Sequence, residues 1–321
     1  MNPSKKTKVN GLLFKELVKR GYSLEGNTRV WNVVDSKLWY LTPEQSQDYL
    51  DLENSNEYLK VTNQKQGKEL VLENSEKILE KIGKEPANVV DLGCGDGKKA
   101  ANIVMSFKGR LKLRYCPIDI SSYMVQKAFE TFSKLKITEE MVQFQYNISD
   151  FENLENITPL LSQGEFKRNI FLLLGNTLGN FEVHELLYEI RNAMRERDIL
   201  LVDTEVAGKN VQEKAQSHLK NDKVNKFLMH IPLYLGLEKE DVEYGARFKN
   251  SRIELYYTIK NDKTIVFQDK KVQFNIGDQI TVAVAYKHKK EDLLSVFKMY
   301  FSDVSIFCSK DNTQCLFLCK K

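Results

Sequence analysis

Residues 87–107 read ANVVDLGCGDGKKAANIVMSF, and this stretch decides the fold. Its Val-rich start predicts a buried strand that ends near Asp91, and the segment from Lys98 onward predicts a helix. Three glycines lie between the strand and the helix, where they permit a tight turn and let the backbone approach a ligand closely. A strand, a glycine loop and a helix in this order indicate a parallel α/β domain with a ligand at the loop.

The alternation of strands and helices continues along the chain. Several predicted strands are apolar on both faces, which is typical of buried strands in a parallel sheet. The C-terminal segment VSIFCSKDNTQCLFLCKK has two apolar runs around a polar turn and predicts a hairpin that returns to this sheet. We therefore predict a Rossmann-like α/β sheet with a terminal antiparallel hairpin. Its strands are ANVVDLG, KLRYCPIDI, MVQFQYNISDF, NIFLLLGNTLG and DILLVDTEV, and its helices include KKAANIVMSF, SYMVQKAFETFSKL and VHELLYEIRNAM.

Pattern and length divide the chain into four segments. At 321 residues it exceeds the size at which a single core usually keeps growing. Residues 1–65 lack a βαβ pattern and are expected to form a lid over the substrate, and residues 66–208 form the Rossmann-like core. Residues 209–275 predict an inserted, smaller α+β substrate domain with its own antiparallel sheet. Residues 276–321 are expected to return to the core sheet and end in the hairpin.

The composition argues against several classes of protein. The 48 basic and 44 acidic residues are spread along the chain, so nucleic acid is unsupported as a partner. No apolar run approaches a membrane span and no signal peptide is recognisable, which favours a cytoplasmic protein. The five cysteines form no C-x-x-C pair and the four histidines are scattered, so we expect neither a disulfide framework nor a metal site. The sequence carries no signal for an oligomeric state.

Two acids follow the glycine loop at the ends of successive predicted strands. Asp119 comes 22 positions after Gly97, where an acid can accept hydrogen bonds from ribose hydroxyls. Asp150 ends the third predicted strand and would sit beside an adenine ring, with Phe151 available for stacking. In the alternative interpretation the glycines only turn the chain and the acids cap helices. The combination of strand, loop, helix and two acids favours a nucleoside ligand.

The loop also distinguishes between two nucleoside-containing ligands. Dinucleotide-binding loops have the spacing G-x-G-x-x-G and hold a pyrophosphate at a helix N-terminus. Here the spacing is G-x-G-x-G, through Gly93, Gly95 and Gly97, and Asp96 inside the loop would repel a pyrophosphate. S-adenosylmethionine carries no phosphate and tolerates an acidic loop. We therefore predict S-adenosylmethionine as the cofactor and the class I methyltransferase form of the sheet, whose last strand is antiparallel.

Beyond this fold, the chain resembles the histidine-specific methyltransferase family, from roughly residue 57 to the C-terminus. Members of that family include the ergothioneine-pathway histidine Nα-methyltransferase and fungal relatives that act on tryptophan derivatives. The part LGNTLGNF is similar to the family's G-S-T-I-G-N-F segment and is the most specific match. The segments that carry the resemblance are DLGCGDGKK (91–99), PIDIS (117–121), FLLLGNTLGNF (171–181), ILLVDTE (199–205), RIEL (252–255) and FNIGDQITVAVAYK (274–287).

The resemblance implies roles for particular residues. It makes Asn180 and Tyr58 the catalytic residues and assigns substrate binding to Tyr49, Tyr58 and Asn180. For the two tyrosines, aromatic packing at a domain junction is the alternative. Together with the glycine loop, the resemblance assigns donor binding to Gly93, Gly95, Gly97, Lys99, Asp119, Asp150, Phe151 and Gly175.

The chain departs from the family at one informative place. Where the histidine enzymes have a T-E-x-S-x-K-like segment whose Glu and Ser bind the imidazole side, this chain has VAVAYK, with Ala283 and Ala285 at the substrate-binding positions. Losing both polar groups removes recognition of a polar side chain and favours a more apolar or larger acceptor. We expect a methyltransferase that N-methylates a small amine, an amino acid or derivative other than free histidine. A protein or RNA acceptor, or an inactive partner subunit, are the alternatives.

Overall fold

The computed structural model describes residues 9–62, 64–208 and 211–321. None of the helices in this part of the chain has both the length and the apolar character needed to cross a bilayer. The strands of the described residues are β1 (Tyr22–Glu25), β2 (Thr28–Asn32), β3 (Ala87–Leu92), β4 (Leu113–Ile118), β5 (Glu140–Met141), β6 (Arg168–Leu173), β7 (Ile199–Glu205), β8 (Val242–Lys249), β9 (Arg252–Ile259), β10 (Lys263–Phe267), β11 (Lys270–Phe274), β12 (Gln279–Tyr286), β13 (Asp303–Cys308) and β14 (Gln314–Lys320).

The α-helices alternate with these strands. Short 3₁₀ turns cover Ser36–Tyr40, Gln145–Asn147, Phe151–Asn153, Leu178–Asn180 and Lys239–Asp241. The α-helices are α1 (Gly11–Arg20), α2 (Pro43–Glu53), α3 (Asn56–Val61), α4 (Gln64–Glu73), α5 (Ser75–Ile82), α6 (Lys98–Phe107), α7 (Ser122–Leu135), α8 (Leu154–Leu161), α9 (Val183–Ala193), α10 (Val211–Leu219), α11 (Asp222–Leu228), α12 (His230–Tyr234) and α13 (Lys290–Tyr300).

The chain divides into two compact units. The first, which we call the glycine-loop unit, consists of Leu59–Lys209 and Tyr286–Lys321. The second unit consists of Met1–Tyr58 and Asn210–Ala285. The sequence predicts a return to the core at residue 276, whereas β12 pairs with β2 and β9 of the second unit. Pairing partners far along the chain therefore determine where β12 belongs.

The glycine-loop unit is built on a seven-stranded sheet in the order β13-β14-β7-β6-β3-β4-β5. The five strands from β7 to β5 run parallel, and β14 lies antiparallel to both β7 and β13. Successive residues of the central strands face opposite cores: Val89 packs in one apolar cluster and Val90 in the other. This confirms the predicted α/β sheet with a terminal antiparallel hairpin.

The strand order reverses direction beside β3. The chain runs from β3 outward to β4 and β5, then crosses back to β6 and β7 on the other side of β3. In open α/β sheets of this kind, ligands bind at the carboxyl ends of the strands where the order reverses. The glycine loop after β3 lies at this point.

The third predicted strand is mostly absent. A strand was expected over residues 141–151, but β5 covers only Glu140–Met141 and a 3₁₀ turn follows at Gln145–Asn147. The side chain of Asn147 accepts the N–H of Phe144 at 2.6 Å and donates to the carbonyl of Pro117 at 2.6 Å. Such side-chain bonds to the backbone compete with the strand ladder. Asp150 therefore follows a loop and not a strand.

The C-terminal hairpin contains a disulfide that the sequence analysis did not expect. Cys308 and Cys315 lie directly opposite each other on β13 and β14, and their Cα atoms are 4.2 Å apart. The expectation that the chain has no disulfide framework is therefore wrong for this pair. The two cysteines are seven positions apart, on either side of the turn. This spacing predicts a disulfide only when the register of the hairpin is known, because the register decides whether the two residues face each other.

The second unit contains a five-stranded sheet in the order β1-β2-β12-β9-β8 and a separate hairpin of β10 and β11. Its apolar core takes side chains from α1, α2, α11 and the sheet. Residues 22–32 supply two of its strands, within the segment that lacks a βαβ pattern in the sequence. Strands this short carry too few alternating positions to be recognised from sequence.

Candidate active site

The glycine loop joins β3 to α6 in a conformation that favours glycine. Gly93, Gly95 and Gly97 have φ angles of +66°, +51° and +74°, in the left-handed region. A Cβ at Gly97 would lie 3.0 Å from the Cα of Ala128 in α7, so this position has no room for a side chain. At the start of the loop, the N–H of Gly93 donates to the carbonyl of Ile118 at 2.8 Å. The loop is therefore anchored to β4 and packed closely on α7.

Asp119 holds the loop from the end of β4. Its Oδ2 accepts the N–H of Gly95 at 3.2 Å, and its Oδ1 accepts the N–H of Ser121 at 3.0 Å. The residue is buried, and burial raises the pKa of Asp119 to about 6 although these N–H groups favour the carboxylate. The position predicted for a ribose contact thus carries a buried acid attached to the glycine loop.

Phe151, which was predicted to stack on an adenine ring, approaches the loop as well. Phe151 follows Asp150 in the 3₁₀ turn Phe151–Asn153 and packs on the ring of Phe181, with 5.4 Å between the centroids. A Cβ at Gly93 would lie 3.7 Å from Cζ of Phe151 and 3.4 Å from Cγ2 of Thr177. The structure therefore brings together the glycine loop, Phe151 and the turn at residues 176–180 (NTLGN). Their roles toward the donor stay predictions.

Two buried acids that the sequence analysis did not assign to the site lie at the same edge of the sheet. Asp91 is the acid of β3, and Tyr115 Oη donates to its Oδ2 at 2.7 Å. Burial raises the pKa of Asp91 to about 7. Asp203 lies in β7, where burial raises its pKa to about 6. A carboxylate directly after apolar residues of a buried strand, as in VVD of β3 and LLVD of β7, is the sequence signal that could have identified both residues.

Lys99 lies between these acids. Its positive charge lowers the pKa of both Asp91 and Asp203 and so opposes part of the effect of burial. A Cβ at Gly175, which follows β6 with φ +71°, would lie 2.8 Å from Lys99 Nζ. The Lys99 side chain therefore extends from the first turn of α6 to the end of β6. Lys99 and Gly175, both predicted as donor-binding residues, are neighbours.

The predicted catalytic residue Asn180 ends the 3₁₀ turn Leu178–Asn180 after β6. Its N–H donates to the carbonyl of Thr177 at 3.1 Å, and its side chain is half-buried. A Cβ on the neighbouring Gly179 would lie 3.4 Å from the carbonyl oxygen of Tyr286. The turn that carries Asn180 thus packs on the backbone of Tyr286, where the glycine-loop unit resumes.

An ion pair that the sequence analysis missed lies beside this turn. Lys287 Nζ lies 2.6 Å from Glu205 Oε2 at the end of β7, and both side chains are buried. Burial lowers the pKa of Lys287 to about 8, while the adjacent carboxylate favours the charged ammonium. One residue further on, the carbonyl of His288 accepts the N–H of Ala207 at 2.7 Å. These bonds attach the segment after β12 to the carboxyl end of β7.

The two predicted substrate tyrosines belong to the helices of the second unit. Tyr49 of α2 packs on Tyr40 and Phe227, with 5.4 Å between the ring centroids in both cases. Tyr58 of α3 lies with its ring 6.5 Å from that of His218. Both side chains are half-buried against the core of that unit. Their contact with a substrate stays a prediction.

Ala283 and Ala285 lie on one face of β12, because alternate residues of a strand point the same way. Ala283 is buried in the apolar core of the second unit, and Ala285 is half-buried. Neither methyl group can form a hydrogen bond.

The residues of the glycine-loop unit fit S-adenosylmethionine. Asp91 in β3, Asp119 after β4 and Asp203 in β7 place three carboxyl groups at one edge of the sheet, and Asp96 in the loop pairs with Lys98 at 2.5 Å. This density of negative charge suits a ligand with a sulfonium and an ammonium group and opposes a pyrophosphate. The ammonium of Lys99 suits the carboxylate of the same ligand.

Several solved structures are similar to this chain. One is an S-adenosylmethionine-dependent methyltransferase from Clostridium acetobutylicum ATCC 824, with 13% identity, a TM-score of 0.40, and coverage of 80% of this chain and 91% of that one. Another is the PH0226 protein from Pyrococcus horikoshii OT3, with 14% identity, a TM-score of 0.44, and coverage of 86% and 98%. A search of the curated proteins finds no match.

The family comparison covers most of the chain. Residues 62–321 match the family described as "Histidine-specific methyltransferase, SAM-dependent". The matched range begins close to residue 57, where the sequence resemblance was placed, and includes the glycine loop, Asp119, Asp203 and the VAVAYK segment. This protein belongs to the histidine-specific, S-adenosylmethionine-dependent methyltransferase family.

Proposed function

We propose that this enzyme methylates the nitrogen of a small amine, an amino acid or amino-acid derivative other than free histidine. The observation that carries the proposal is the pair Ala283 and Ala285 on one face of β12. At these positions the family resemblance expects a Glu and a Ser that bind an imidazole. A pocket without hydrogen-bonding groups does not select a polar side chain.

The chemistry requires few catalytic groups. The donor supplies a methyl group on a sulfonium, so an incoming nitrogen forms the N–C bond as the C–S bond breaks, and the methylated product then releases a proton to water. The protein has to align the nitrogen and exclude water. It must also bind the amine in its neutral form, since an ammonium has no lone pair.

Asn180 is suited to orient such an amine. A side-chain amide offers both an acceptor and a donor, so its oxygen can accept an N–H of the neutral amine and direct the nitrogen lone pair. Asn180 lies on a turn after β6 whose neighbour Gly179 packs under the Tyr286 carbonyl. This packing supports a fixed position for the amide. Tyr58 is the second residue that we propose to act on the acceptor amine, through its hydroxyl.

The test is transfer of the radiolabelled methyl group of S-adenosylmethionine to a panel of amines. We expect turnover with amino acids or derivatives that carry apolar side chains and none with histidine. A matched variant, Ala283→Glu with Ala285→Ser, should lose turnover with the apolar acceptor. Efficient methylation of free histidine by the unaltered enzyme would contradict the proposal. Binding of S-adenosylhomocysteine without turnover on any amine, protein or RNA would favour the inactive partner subunit.

A further inference from the structure

Asp203 is surrounded by groups that stabilise its carboxylate. Gln314 of β14 donates its side-chain amide to Oδ1, and the backbone N–H of Gly175 lowers the pKa of the same carboxylate. The ammonium of Lys99 adds a nearby positive charge. Three separate segments, β14, the end of β6 and the first turn of α6, therefore converge on one buried acid in β7.

Two glycines make room for this arrangement. A Cβ at Gly67 would lie 2.6 Å from Oδ2 and 2.7 Å from Oδ1 of Asp203, which is too close for any side chain. Gly67 lies within α4, where glycine is among the weakest helix formers. A Cβ at Gly175 would lie equally close to the Lys99 ammonium, at 2.8 Å from Nζ. The backbone thus packs directly against both charged groups.

The position of Asp203, Gly175 and Lys99 relative to Asp119 indicates which part of the donor they would contact. Asp119 follows β4, on one side of β3, whereas Gly175 follows β6 and Asp203 lies in β7, on the other side. If Asp119 binds the ribose of S-adenosylmethionine, the donor extends from there across the glycine loop. Its other end then lies near β6. That end is the methionine portion, which carries a carboxylate and an ammonium.

We propose that Asp203 is a positioning residue for the methionine portion of S-adenosylmethionine and that it acts through Lys99 and the N–H of Gly175. Asp203 fixes the Lys99 ammonium where it can pair with the donor carboxylate, and it holds the Gly175 turn against the Lys99 side chain. The proposal rests on the predicted contact of Lys99 with the donor. A purely structural role for Asp203, as a link between β7 and Gln314, is the competing explanation.

Calorimetric titration of the full chain with two ligands separates these explanations. S-adenosylhomocysteine contains the amino-acid group, whereas 5′-methylthioadenosine has the same nucleoside and a thioether but lacks that group. We expect Asp203→Asn to weaken S-adenosylhomocysteine about tenfold or more, the scale of a hydrogen bond to a charged group. Binding of 5′-methylthioadenosine should change by less than about twofold. Asn has nearly the same size as Asp. Its NH₂ group only donates, so it cannot accept a hydrogen bond as the carboxylate oxygen does.

Two further variants serve as controls. Lys99→Met should also weaken binding of S-adenosylhomocysteine and leave binding of 5′-methylthioadenosine nearly unchanged. Adding Asp203→Asn to Lys99→Met should weaken binding little further, because the two residues act as one unit. Asp119→Ala should weaken both ligands, because both contain the ribose. The proposal would be overturned if Asp203→Asn weakened the binding of both ligands equally. It would also be overturned if the losses of binding free energy in the two single variants added up in the double variant. If the unaltered chain binds neither ligand, the donor site is wrong as well, an outcome distinct from failure of Asp203 alone.

Discussion

Lys287 Nζ and Glu205 Oε2 lie 2.6 Å apart, and only 7% and 5% of their side chains are exposed. The two residues come from the segment after β12 and from the end of β7. Removing two charges from water is costly, so a buried pair is stable only while both partners remain. This pair therefore joins two segments that meet close to the turn of Asn180.

Loss of one partner should destabilise the protein more than loss of both. Lys287→Met leaves the Glu205 carboxylate buried without its cation, and we expect a loss of about 3–5 kcal/mol in the free energy of unfolding. The double variant Lys287→Met with Glu205→Met should regain much of this loss. Urea unfolding of the three proteins measures the difference. Equal stability of the single and double variants would show that the pair does not act in this way.

The glycine loop allows a matched comparison of two alanine substitutions. Gly95 and Gly97 both have left-handed φ angles, but a Cβ at Gly95 meets no atom within 4 Å, whereas one at Gly97 meets Ala128 at 3.0 Å. Gly95→Ala should cost about 1–2 kcal/mol for the backbone conformation alone. Gly97→Ala should cost more, because α7 must also move. Thermal unfolding of both variants tests this order, and a smaller effect at Gly97 would contradict the packing described for the loop.

The buried acid Asp91 should make stability depend on pH. Its pKa is raised to about 7 by burial, above the model-peptide value of about 3.9, so between these pH values the folded state holds a proton that the unfolded chain releases. The stability due to this group is therefore present at low pH and lost as the pH rises toward 7. Each unit of pKa difference corresponds to about 1.4 kcal/mol.

Asp91→Asn is the matched control for this effect, because it cannot ionise. The unfolding free energy of the unaltered protein minus that of the variant should fall as the pH rises from about 4 to 7. Urea unfolding at several pH values in that interval gives the difference directly. A difference that stays constant, or rises with pH, would mean that Asp91 is ionised throughout the interval.

Asn180 is expected to act on turnover and not on donor binding. Asn180→Ala should lower kcat at least about tenfold, equivalent to about 1.4 kcal/mol in the barrier, because the amine loses its orienting acceptor. The Kd for S-adenosylhomocysteine should stay nearly unchanged. Asn176→Ala, on the same turn, controls for local folding. Unchanged turnover in Asn180→Ala would remove this residue from the mechanism.

The fold could be predicted from the sequence wherever the signal is local. Continuous apolar runs such as IFLLL at 170–174 predict buried parallel strands, and the glycine loop with its flanking strand and helix predicts the ligand edge of the sheet. The spacing from Gly97 to Asp119 was sufficient to identify an acid that does bond to the loop. The strand expected at 141–151 failed because Asn147 bonds to nearby backbone groups, a competition that residue patterns do not show.

Contacts between distant residues depended on the tertiary structure alone. Gln314 reaches Asp203 across 111 positions because β14 lies beside β7. Lys287 reaches Glu205 across 82 positions because the segment after β12 meets the end of β7. The sequence by itself determined most strands and helices of the seven-stranded sheet and the position of the glycine loop, because these depend on neighbours a few residues apart. Only the folded sheet decided which buried charges meet, because its register brings together residues whose separation along the chain carries no signal.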